Sequence, residues 1–299
     1  MDMLSIVGLC KHFGNKEVLK DVNLSVPEHS IYGFIGKNGS GKTTTMKAIL
    51  GLLKTDSGSI EVAGERVIYG QTATNRHIGY LPDVPEFYSF MTAAEYLDYC
   101  GRITEMNESD IRSRRDELLE LVGLQNEKHK IKGFSRGMKQ RLGIAQALMN
   151  RPRLLICDEP TSALDPMGRK EILDILLAAR EQTTVLFSTH VLSDVEKICT
   201  DVAFLNNGVI SMQGKLDEIK AKYVTEEYHL ETENPEDALT IQQAFPIMKQ
   251  PDETHLTFFE DGFTVFDVLR LVTDKRINLL KIERVKPSLE SLFMEVVKE

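Results

Sequence analysis

Short hydrophobic runs alternate with amphipathic ones along the front of the chain. Two runs rich in strand-forming residues, LSIVGL and VNLSV, predict strands, and SIYGFIG predicts a third strand that ends in glycine. Residues 41–52 carry apolar positions at helical spacing and predict a helix. A further strand is predicted at SIEVAG, which lies between turn residues.

From residue 92 to about residue 150 the pattern is helical almost throughout, including the charged stretch ESDIRSRRDELLELVGL. Strand patterns return at RLLICDEP, TTVLFSTH and DVAFLNNG, with helical patterns near 167–180 and 191–199 between them. Strands that alternate with helices predict a parallel sheet with helices on its faces. The predicted fold class is therefore α/β, with the helical block as an insertion.

The pattern changes after about Val224. Strands are predicted at EEYHLE, ETHLTFFE and NLLKIERV, and helices at NPEDALTIQQAF, FTVFDVLRLV and SLESLFMEVVK. These elements predict a small α+β domain over residues 223–299, after a boundary near 220–226. Its own core is expected to contain the apolar residues Phe263, Phe266, Leu269, Leu292 and Phe293.

Composition is that of a globular protein, with 299 residues, 42% hydrophobic and 27% charged. No apolar run approaches the roughly 20 residues that span a bilayer, and the N-terminus does not have the pattern of a signal peptide. Four scattered cysteines are typical of reduced thiols in a cytoplasmic protein, and they argue against disulfides or a zinc site. Residues 225–299 carry 8 basic and 16 acidic side chains out of a net charge of −9, which argues against electrostatic binding to nucleic acid.

A basic amphipathic helix is predicted after Ser135, within KGFSRGMKQRLGIAQALMN. Ser135 suits the N-cap, because its hydroxyl can accept a hydrogen bond from a free backbone N–H. Gly137 is unexpected there, since glycine in a first turn lowers helix stability. Local helix chemistry therefore does not account for the Ser-Arg-Gly sequence.

The sequence GKNGSGKT, at residues 36–43, fits the phosphate-binding pattern G-x-x-x-x-G-K-[ST] and follows the predicted buried strand Ile31–Ile35. Its glycines allow backbone N–H groups to surround phosphate oxygens at a helix N-terminus. Lys42 is expected to reach the β- and γ-phosphates, and Thr43 to offer its hydroxyl to Mg²⁺. The residues expected to bind nucleotide here are Gly36, Lys37, Asn38, Gly39, Ser40, Gly41, Lys42, Thr43 and Thr44. The alternative is a glycine-rich turn with a surface lysine.

Two acidic residues end the predicted strand RLLICDEP. Asp158 is expected to bind magnesium, as the corresponding carboxylate does in other P-loop NTPases. Glu159 is expected to turn toward the γ-phosphate and to act as the general base for the attacking water. The alternative for Glu159 is a capping role or an ion pair with a nearby arginine.

Together, GKNGSGKT, FSRGMKQRL, LLICDEP, SALD and the isolated His190 resemble the nucleotide-binding subunit of an ABC transporter over roughly residues 3–220. A GTPase would need an N-K-x-D motif, which the sequence lacks. The resemblance implies a P-loop NTPase core over residues 1–222, with an antiparallel β subdomain and a helical subdomain at about 84–150. The cofactors that it implies are ATP and Mg²⁺.

The resemblance also implies roles for matched positions. Phe13 looks like the aromatic residue that stacks on adenine, the alternative being a core phenylalanine. Residues 162–165 (SALD) look like the loop that bridges two protomers. His190 looks like the switch histidine at the γ-phosphate, the alternative being a hydrogen-bonded polar residue at a strand end. Ser135, Arg136 and Gly137 look like the signature segment that contacts ATP held by a second subunit.

Two positions differ from the usual family pattern. Asp83, in IGYLPDVPEF, stands where the family usually has glutamine, and it is expected to coordinate Mg²⁺ directly or through water. Arg136 stands where the common L-S-G-G-Q signature has glycine. Its charge either strengthens the phosphate contact or compensates for Asp83 across the site. Both features and the acidic tail are similar to exporter-type cassettes of the ABC-2 or bacitracin-exporter-like group, whose permease is a separate chain.

The resemblance thus implies an ATPase that closes head to tail with a second nucleotide-binding subunit, as a homodimer or heterodimer. That dimer would drive an integral-membrane permease from the cytoplasmic face of a bacterial membrane. Glu159, His190 and Lys42 are the expected catalytic residues, and no nucleic-acid partner is expected. One alternative is a soluble regulatory ABC ATPase that acts on ribosomes or DNA. Another, motivated by Asp83, is a cassette that binds ATP but hydrolyses it poorly.

Overall fold

A computed structural model describes residues 2–222, 227–285 and 289–290 of the chain. These residues form two compact units that divide between Ile219 and Lys220. The strands up to residue 222 are β1 (Asp2–Phe13), β2 (Lys16–Pro27), β3 (Ile31–Ile35), β4 (Ser57–Val62), β5 (Glu65–Arg66), β6 (Ile78–Leu81), β7 (Leu154–Asp158), β8 (Thr184–Thr189), β9 (Asp201–Asn206) and β10 (Val209–Lys215). The α-helices in this range are α1 (Lys42–Ile49), α2 (Ala93–Ile103), α3 (Glu108–Leu121), α4 (Arg136–Leu148), α5 (Pro166–Ala179), α6 (Leu192–Ile198) and α7 (Leu216–Lys222).

The larger sheet of the first unit has the strand order β10-β9-β3-β8-β7-β6. Its neighbouring strands are parallel except at β10, which pairs antiparallel with β9. Strands β3, β7 and β8 are buried along their whole length, as expected for strands covered on both faces. Their register pairs Ile35 with Thr189 and Asp158 with Ser188, so the residues that follow β3, β7 and β8 lie at one edge of the sheet.

A second, antiparallel sheet of β2, β1, β4 and β5 lies in the same unit. Apolar residues of both sheets and of α1 form one core, which includes Leu4, Val22, Phe34, Met46 and Leu186. Helices α2, α3 and α4 fill the predicted helical block and pack on one another. The strand predictions at both sheets are confirmed, and the α/β fold class with them.

Two details of the first unit differ from the sequence-based expectations. Helix α1 ends at Ile49 rather than near residue 52, because Gly51 takes a positive φ of 67° and stops the helix. Strand β10 was not anticipated. It forms a hairpin with β9 through Asn207 and Gly208, which both adopt positive φ, the geometry that an Asn-Gly turn favours.

The second unit contains β11 (Glu227–Thr232), α8 (Pro235–Ala244), β12 (His255–Phe259), α9 (Val265–Lys275) and β13 (Leu279–Arg284). The strands form an antiparallel sheet in the order β12-β11-β13. Residues of the sheet and of both helices form its core, among them Leu230, Ile241, Phe258 and Val268. The strands and these two helices agree with the predicted α+β pattern.

The predicted core of this unit needs one correction. Phe266 is 75% exposed, because Val268 and Val272 define the buried side of α9 and Phe266 lies on the opposite side. Phe263 and Leu269 are half-buried, and Phe263 packs against the core. Leu292 and Phe293 lie outside the described residues. No helix in the described segments is both long and apolar enough to cross a bilayer.

Candidate active site

The loop of residues 36–41 connects β3 to α1 and is shaped by its glycines. A Cβ atom on Gly36 would lie 2.5 Å from the Ser40 Oγ and 2.6 Å from the Leu205 carbonyl oxygen. Gly41 is the N-cap of α1 with a φ of 114°, and no side chain caps that helix end. The buried Ser40 Oγ has no hydrogen-bond partner in the protein. Uncapped helix N–H groups and a free hydroxyl in one loop suit a phosphate group.

Lys42 is held beneath this loop. Its side chain is only 6% exposed, and its Nζ donates to the Gly36 carbonyl oxygen at 2.6 Å. The same Nζ lies 3.1 Å from the Glu159 Oε1. The alternative of a surface lysine in a simple turn is therefore wrong, since burying this amine is favourable only with such partners.

Asp158 accepts two short hydrogen bonds at the end of β7. The Thr43 hydroxyl donates to its Oδ2 at 2.8 Å, and the Ser188 hydroxyl donates to its Oδ1 at 2.6 Å. Thr43 and Asp158 thus present hard oxygen ligands side by side, which fits Mg²⁺ bound together with phosphates and water. No group of three or more His, Cys, Asp or Glu side chains in the described residues is arranged to hold a metal by itself.

Glu159 turns back toward the phosphate-binding loop, because it adopts a φ of 50°. Its backbone N–H donates to the Ser188 Oγ at 3.0 Å, which holds the turn. Its Oε2 lies 2.8 Å from the His190 Nδ1. Within the described part of the chain, Glu159 therefore pairs with Lys42 and His190, and the predicted alternative of an arginine partner is wrong.

The side chains of Lys42, Thr43, Asp158 and Glu159 line one cavity of about 340 Å³. Its walls are formed by Val18, Asn38, Gly39, Gly41, Lys42, Thr43, Thr44, Asp83, Asp158 and Glu159. Phe13 does not line this cavity, and it is 50% exposed at the end of β1, with the Lys11 Nζ 5.2 Å from the ring centroid. The alternative of a core phenylalanine is therefore wrong.

The signature segment lies elsewhere in the chain. Ser135 caps α4, accepting a hydrogen bond from the Met138 N–H at 3.2 Å as predicted. A Cβ atom on Gly137 would find only the Leu164 Cδ2, at 3.9 Å, so packing does not require glycine there. Neither Ser135 nor Gly137 lines the cavity of the same chain. Arg136 approaches that cavity only through Asp83, whose Oδ1 is 3.5 Å from the Arg136 guanidinium.

The loop after Glu159 is ordered by short local contacts. The Ser162 N–H donates to the Glu159 carbonyl oxygen at 3.0 Å, and Asp165 caps α5 by accepting from the Gly168 N–H at 2.8 Å. The Thr161 hydroxyl donates to the fully buried Asp194 at 2.8 Å. These contacts order the segment that the resemblance predicts to be the bridging loop.

Two groups next to the acidic residues are kept protonated. Burial, and then the charge of Asp158, raises the pKa of Tyr80 to about 12. Burial also raises the pKa of the Cys157 thiol, with a further contribution from Asp158. Neither side chain therefore ionises near neutral pH, and neither is suited to act as a base or a nucleophile.

Sequence reasoning did not identify Ser188, although it contacts both acidic residues of the site. The only signal is its position two residues before His190 in LFSTH. Nothing in that segment shows that Ser188 pairs with Asp158 on the neighbouring strand, because this register depends on the whole sheet.

An aromatic groove of about 560 Å³ lies beside the segment that carries Asp83. Phe87 packs edge-on against Tyr96 at 5.1 Å, and Tyr88 packs edge-on against Tyr99 at 5.5 Å. Phe90, just after the segment, is 62% exposed. The segment that follows β6 therefore borders both the small cavity and the aromatic groove.

Comparisons with known proteins agree with this geometry. Residues 19–162 match the ABC transporter family, and residues 214–297 match the C-terminal domain of DrrA1-3-like ATP-binding proteins. The chain is 39% identical to the ABC transporter ATP-binding protein YxlF of Bacillus subtilis, over 99% of each chain. It is 36% identical to the bacitracin transport ATP-binding protein BcrA of Bacillus licheniformis, over 99% of this chain and 97% of that one.

A third relative, the lantibiotic transport ATP-binding protein SrtF of Streptococcus pyogenes, is 38% identical over 72% of this chain and 92% of its own. Among solved structures, an ATP-binding subunit of an ABC transporter matches with a TM-score of 0.67 and 31% identity. That match covers 74% of this chain and 93% of the other. CbiO1 of Clostridium perfringens, part of the ABC transporter complex cbiONQ, matches with a TM-score of 0.69 and 27% identity, over 74% and 91%.

Proposed function

The chain belongs to the ABC transporter ATP-binding family, and from that premise we propose that it hydrolyses ATP to drive a permease on a separate polypeptide. One observation carries the proposal. Glu159 contacts both Lys42 and His190, so these three side chains form one continuous series of polar contacts. Thr43 and Asp158, which are hydrogen-bonded to each other, line the same cavity as Lys42 and Glu159. ATP hydrolysis needs a cation for phosphate, oxygen ligands for magnesium and a base for water, and all three are adjacent here.

Nucleotide binding would exchange the partners of Lys42. The amine now contacts the Gly36 carbonyl oxygen and Glu159, and ATP phosphates would take the place of these acceptors. Glu159 would then be free to contact water. The free hydroxyl of Ser40 and the helix N–H groups would hold the phosphate oxygens.

Magnesium, when bound, would neutralise phosphate charge, and the residues that would hold it are Thr43 and Asp158, with Asp83 on the same cavity wall. The Ser188 hydroxyl orients Asp158 by donating a hydrogen bond to its Oδ1 at 2.6 Å. This arrangement supports turnover rather than a cassette that only binds ATP.

Glu159 would act as the general base. Water attacks the γ-phosphorus, the bond from that phosphorus to the β,γ-bridging oxygen breaks, and the water proton passes to the Glu159 carboxylate. His190 orients that carboxylate through the contact at 2.8 Å. The products are ADP and inorganic phosphate.

A second subunit would complete the site. Ser135 and Gly137 lie outside the cavity of their own chain, and a Cβ atom on Gly137 would meet only the Leu164 Cδ2, at 3.9 Å. In a head-to-tail dimer these residues would contact the γ-phosphate bound by the partner. ATP would favour the closed dimer, because only that state contains both halves of the phosphate site.

The permease would dock at the aromatic groove. The segment after β6 lines both this groove and the proposed ATP cavity, through Glu86 to Tyr88 and through Asp83 respectively. A movement of Asp83 on ATP binding would therefore be transmitted to the groove along only a few residues. An apolar segment of a cytoplasmic permease loop is the occupant that fits exposed aromatic and aliphatic side chains. This docking would place the chain at the cytoplasmic face of a membrane.

Export is the proposed direction of transport. Relatives that match nearly the whole chain include a bacitracin transport protein, and a lantibiotic transport protein matches most of it. These relatives do not favour the regulatory alternative.

Glu159→Gln tests the proposed chemistry. We expect ATP turnover to fall by at least about 100-fold, because the base is lost while the shape of the side chain is kept. ATP binding should persist, and size-exclusion chromatography with light scattering should show an ATP-dependent dimer. Glu181→Gln, on an exposed surface, is the matched control and should behave as the wild type. Near-normal turnover by Glu159→Gln would reject the role of Glu159.

A further inference from the structure

The two residues that differ from the usual family pattern contact each other within one chain. The Arg136 guanidinium lies 3.5 Å from the Asp83 Oδ1. The side chains are 45% and 48% exposed, so the pair is solvated and can exchange partners at little cost. The expectation that Arg136 compensates for Asp83 across the site thus takes a specific form, because the two side chains already contact each other within one chain.

The backbone around this ion pair is tightly held. The fully buried Gln140 on α4 donates from its Nε2 to the Asp83 carbonyl oxygen at 2.8 Å. Gly143, one turn further along α4, allows close packing, since a Cβ there would lie 2.5 Å from Leu81 and 3.3 Å from Pro85. The loop that carries Asp83 and the helix that begins at Arg136 therefore form one packed piece. The exposed side chains of Arg136 and Asp83 can change partner while this packed backbone stays in place.

Asp83 and Arg136 belong to different ATP sites. Asp83 lines the cavity of its own chain, together with Lys42 and Asp158. Arg136 lies between Ser135 and Gly137, in the segment that would face the partner's ATP in the head-to-tail dimer. A guanidinium binds a triphosphate more strongly than a single solvated carboxylate, because more negative charge and more acceptor oxygens are available.

We propose that Arg136 exchanges Asp83 for the γ-phosphate of the partner's ATP when the dimer closes, and that this exchange releases Asp83 to its own nucleotide site. The inference rests on the proposed head-to-tail dimer. Arg136 is then a positioning residue for Asp83 in the open state and a phosphate ligand in the closed state. One site thereby senses whether the other contains ATP. The ion pair opposes closure until phosphate replaces the carboxylate.

A double-mutant cycle in the Glu159→Gln background tests the exchange. The ATP concentration at half-maximal dimerisation would be measured by light scattering for the parent, Asp83→Asn, Arg136→Gly and the double variant. Asp83→Asn should lower that concentration at least about threefold when Arg136 is present, because the competing carboxylate charge is gone. In the Arg136→Gly background, Asp83→Asn should not lower the ATP concentration at half-maximal dimerisation. Repeating the cycle with EDTA separates this effect from any loss of magnesium binding by Asp83.

Two further variants make the result specific. Arg136→Lys keeps the cation and should retain part of the dependence on Asp83. Glu108→Gln removes an exposed carboxylate that pairs with Arg102 at 2.8 Å, away from the cavity, and should leave the midpoint unchanged. An equal effect of Asp83→Asn with and without Arg136 would overturn the exchange while leaving the dimer intact. Absence of an ATP-dependent dimer in the Glu159→Gln parent would instead overturn the proposed dimeric function and the exchange with it.

Discussion

Ser188 connects the two acidic residues at the end of β7. Its hydroxyl donates to the Asp158 Oδ1 at 2.6 Å and accepts from the Glu159 N–H at 3.0 Å. Ser188 is completely buried, so water cannot replace either bond. One hydroxyl therefore fixes both the carboxylate that is proposed to bind magnesium and the turn that presents the proposed base.

Ser188→Ala should lower both stability and activity. We expect the free energy of unfolding to fall by about 1–3 kcal/mol, because a buried carboxylate oxygen and a backbone N–H lose their partner. ATP turnover should fall as well. Urea unfolding and a phosphate-release assay would measure the two effects. Ser211→Ala, which removes one bond to the Phe204 carbonyl oxygen at 3.1 Å, is the control and should leave turnover unchanged. Wild-type turnover in Ser188→Ala would contradict the role of Ser188.

At the scale of elements, α4 packs unusually close to β6 and the segment after it. A Cβ atom on Gly79 of β6 would lie 2.2 Å from the Ala147 carbonyl oxygen, and one on Gly143 would lie 2.5 Å from the Leu81 Cδ1. At Gly137, in the first turn of the same helix, a Cβ atom would meet only the Leu164 Cδ2, at a comfortable 3.9 Å. Two glycines of this interface are thus required by packing, whereas Gly137 is not.

Alanine at Gly143 and at Gly137 should separate packing from function. Gly143→Ala is expected to lower the free energy of unfolding by about 1–3 kcal/mol through overpacking, although alanine favours the helix itself. Gly137→Ala should leave stability unchanged or raise it by no more than about 1 kcal/mol. Its ATP turnover should nevertheless fall by about tenfold or more, since the methyl group displaces the partner's phosphate.

Chemical denaturation and steady-state turnover of the two alanine variants would check this pair of predictions. Normal turnover by a stable Gly137→Ala variant would show that no phosphate approaches this helix.

At the scale of the whole molecule, carboxylates in both units accept hydrogen bonds from backbone N–H groups. The N–H of His12 holds the pKa of Asp56 below its ordinary value. The N–H of Thr92 lowers the pKa of Glu95, and the N–H of Thr264 lowers that of Asp267, each in a capping box. The ionised forms of these groups therefore stabilise the folded chain.

The pH dependence of stability follows from the sign of these shifts. A carboxyl pKa that is lower in the folded state means that the unfolded chain binds more protons in acid. The stabilisation is complete above the unfolded carboxyl pKa of about 4 and is lost as the pH falls through the folded values. Urea midpoints across this range should fall on acidification, and Glu95→Gln should reduce the slope. A midpoint that rises on acidification would contradict the prediction.

Local patterns in the sequence determined much of the architecture. Uninterrupted apolar runs predicted β3, β7 and β8, and the order of strands and helices predicted a parallel sheet. These features depend on neighbours within a few residues, so they can be inferred from one sequence. Membership of the ABC family can be inferred from the sequence for the same reason, because GKNGSGKT, LLICDEP and SRGMKQ are each an unbroken stretch of residues.

Contacts between distant segments were decided only by the tertiary structure. Ser188 meets Asp158 through the register of two strands, and Arg136 meets Asp83 through the packing of α4 on a loop more than fifty residues earlier. Which side of α9 is buried also depends on where the helix packs on its sheet, and this packing leaves Phe266 exposed to solvent. Strand register and helix packing are set by the total free energy of contacts between segments that are far apart in the sequence. A pattern within a few neighbouring residues does not contain that information.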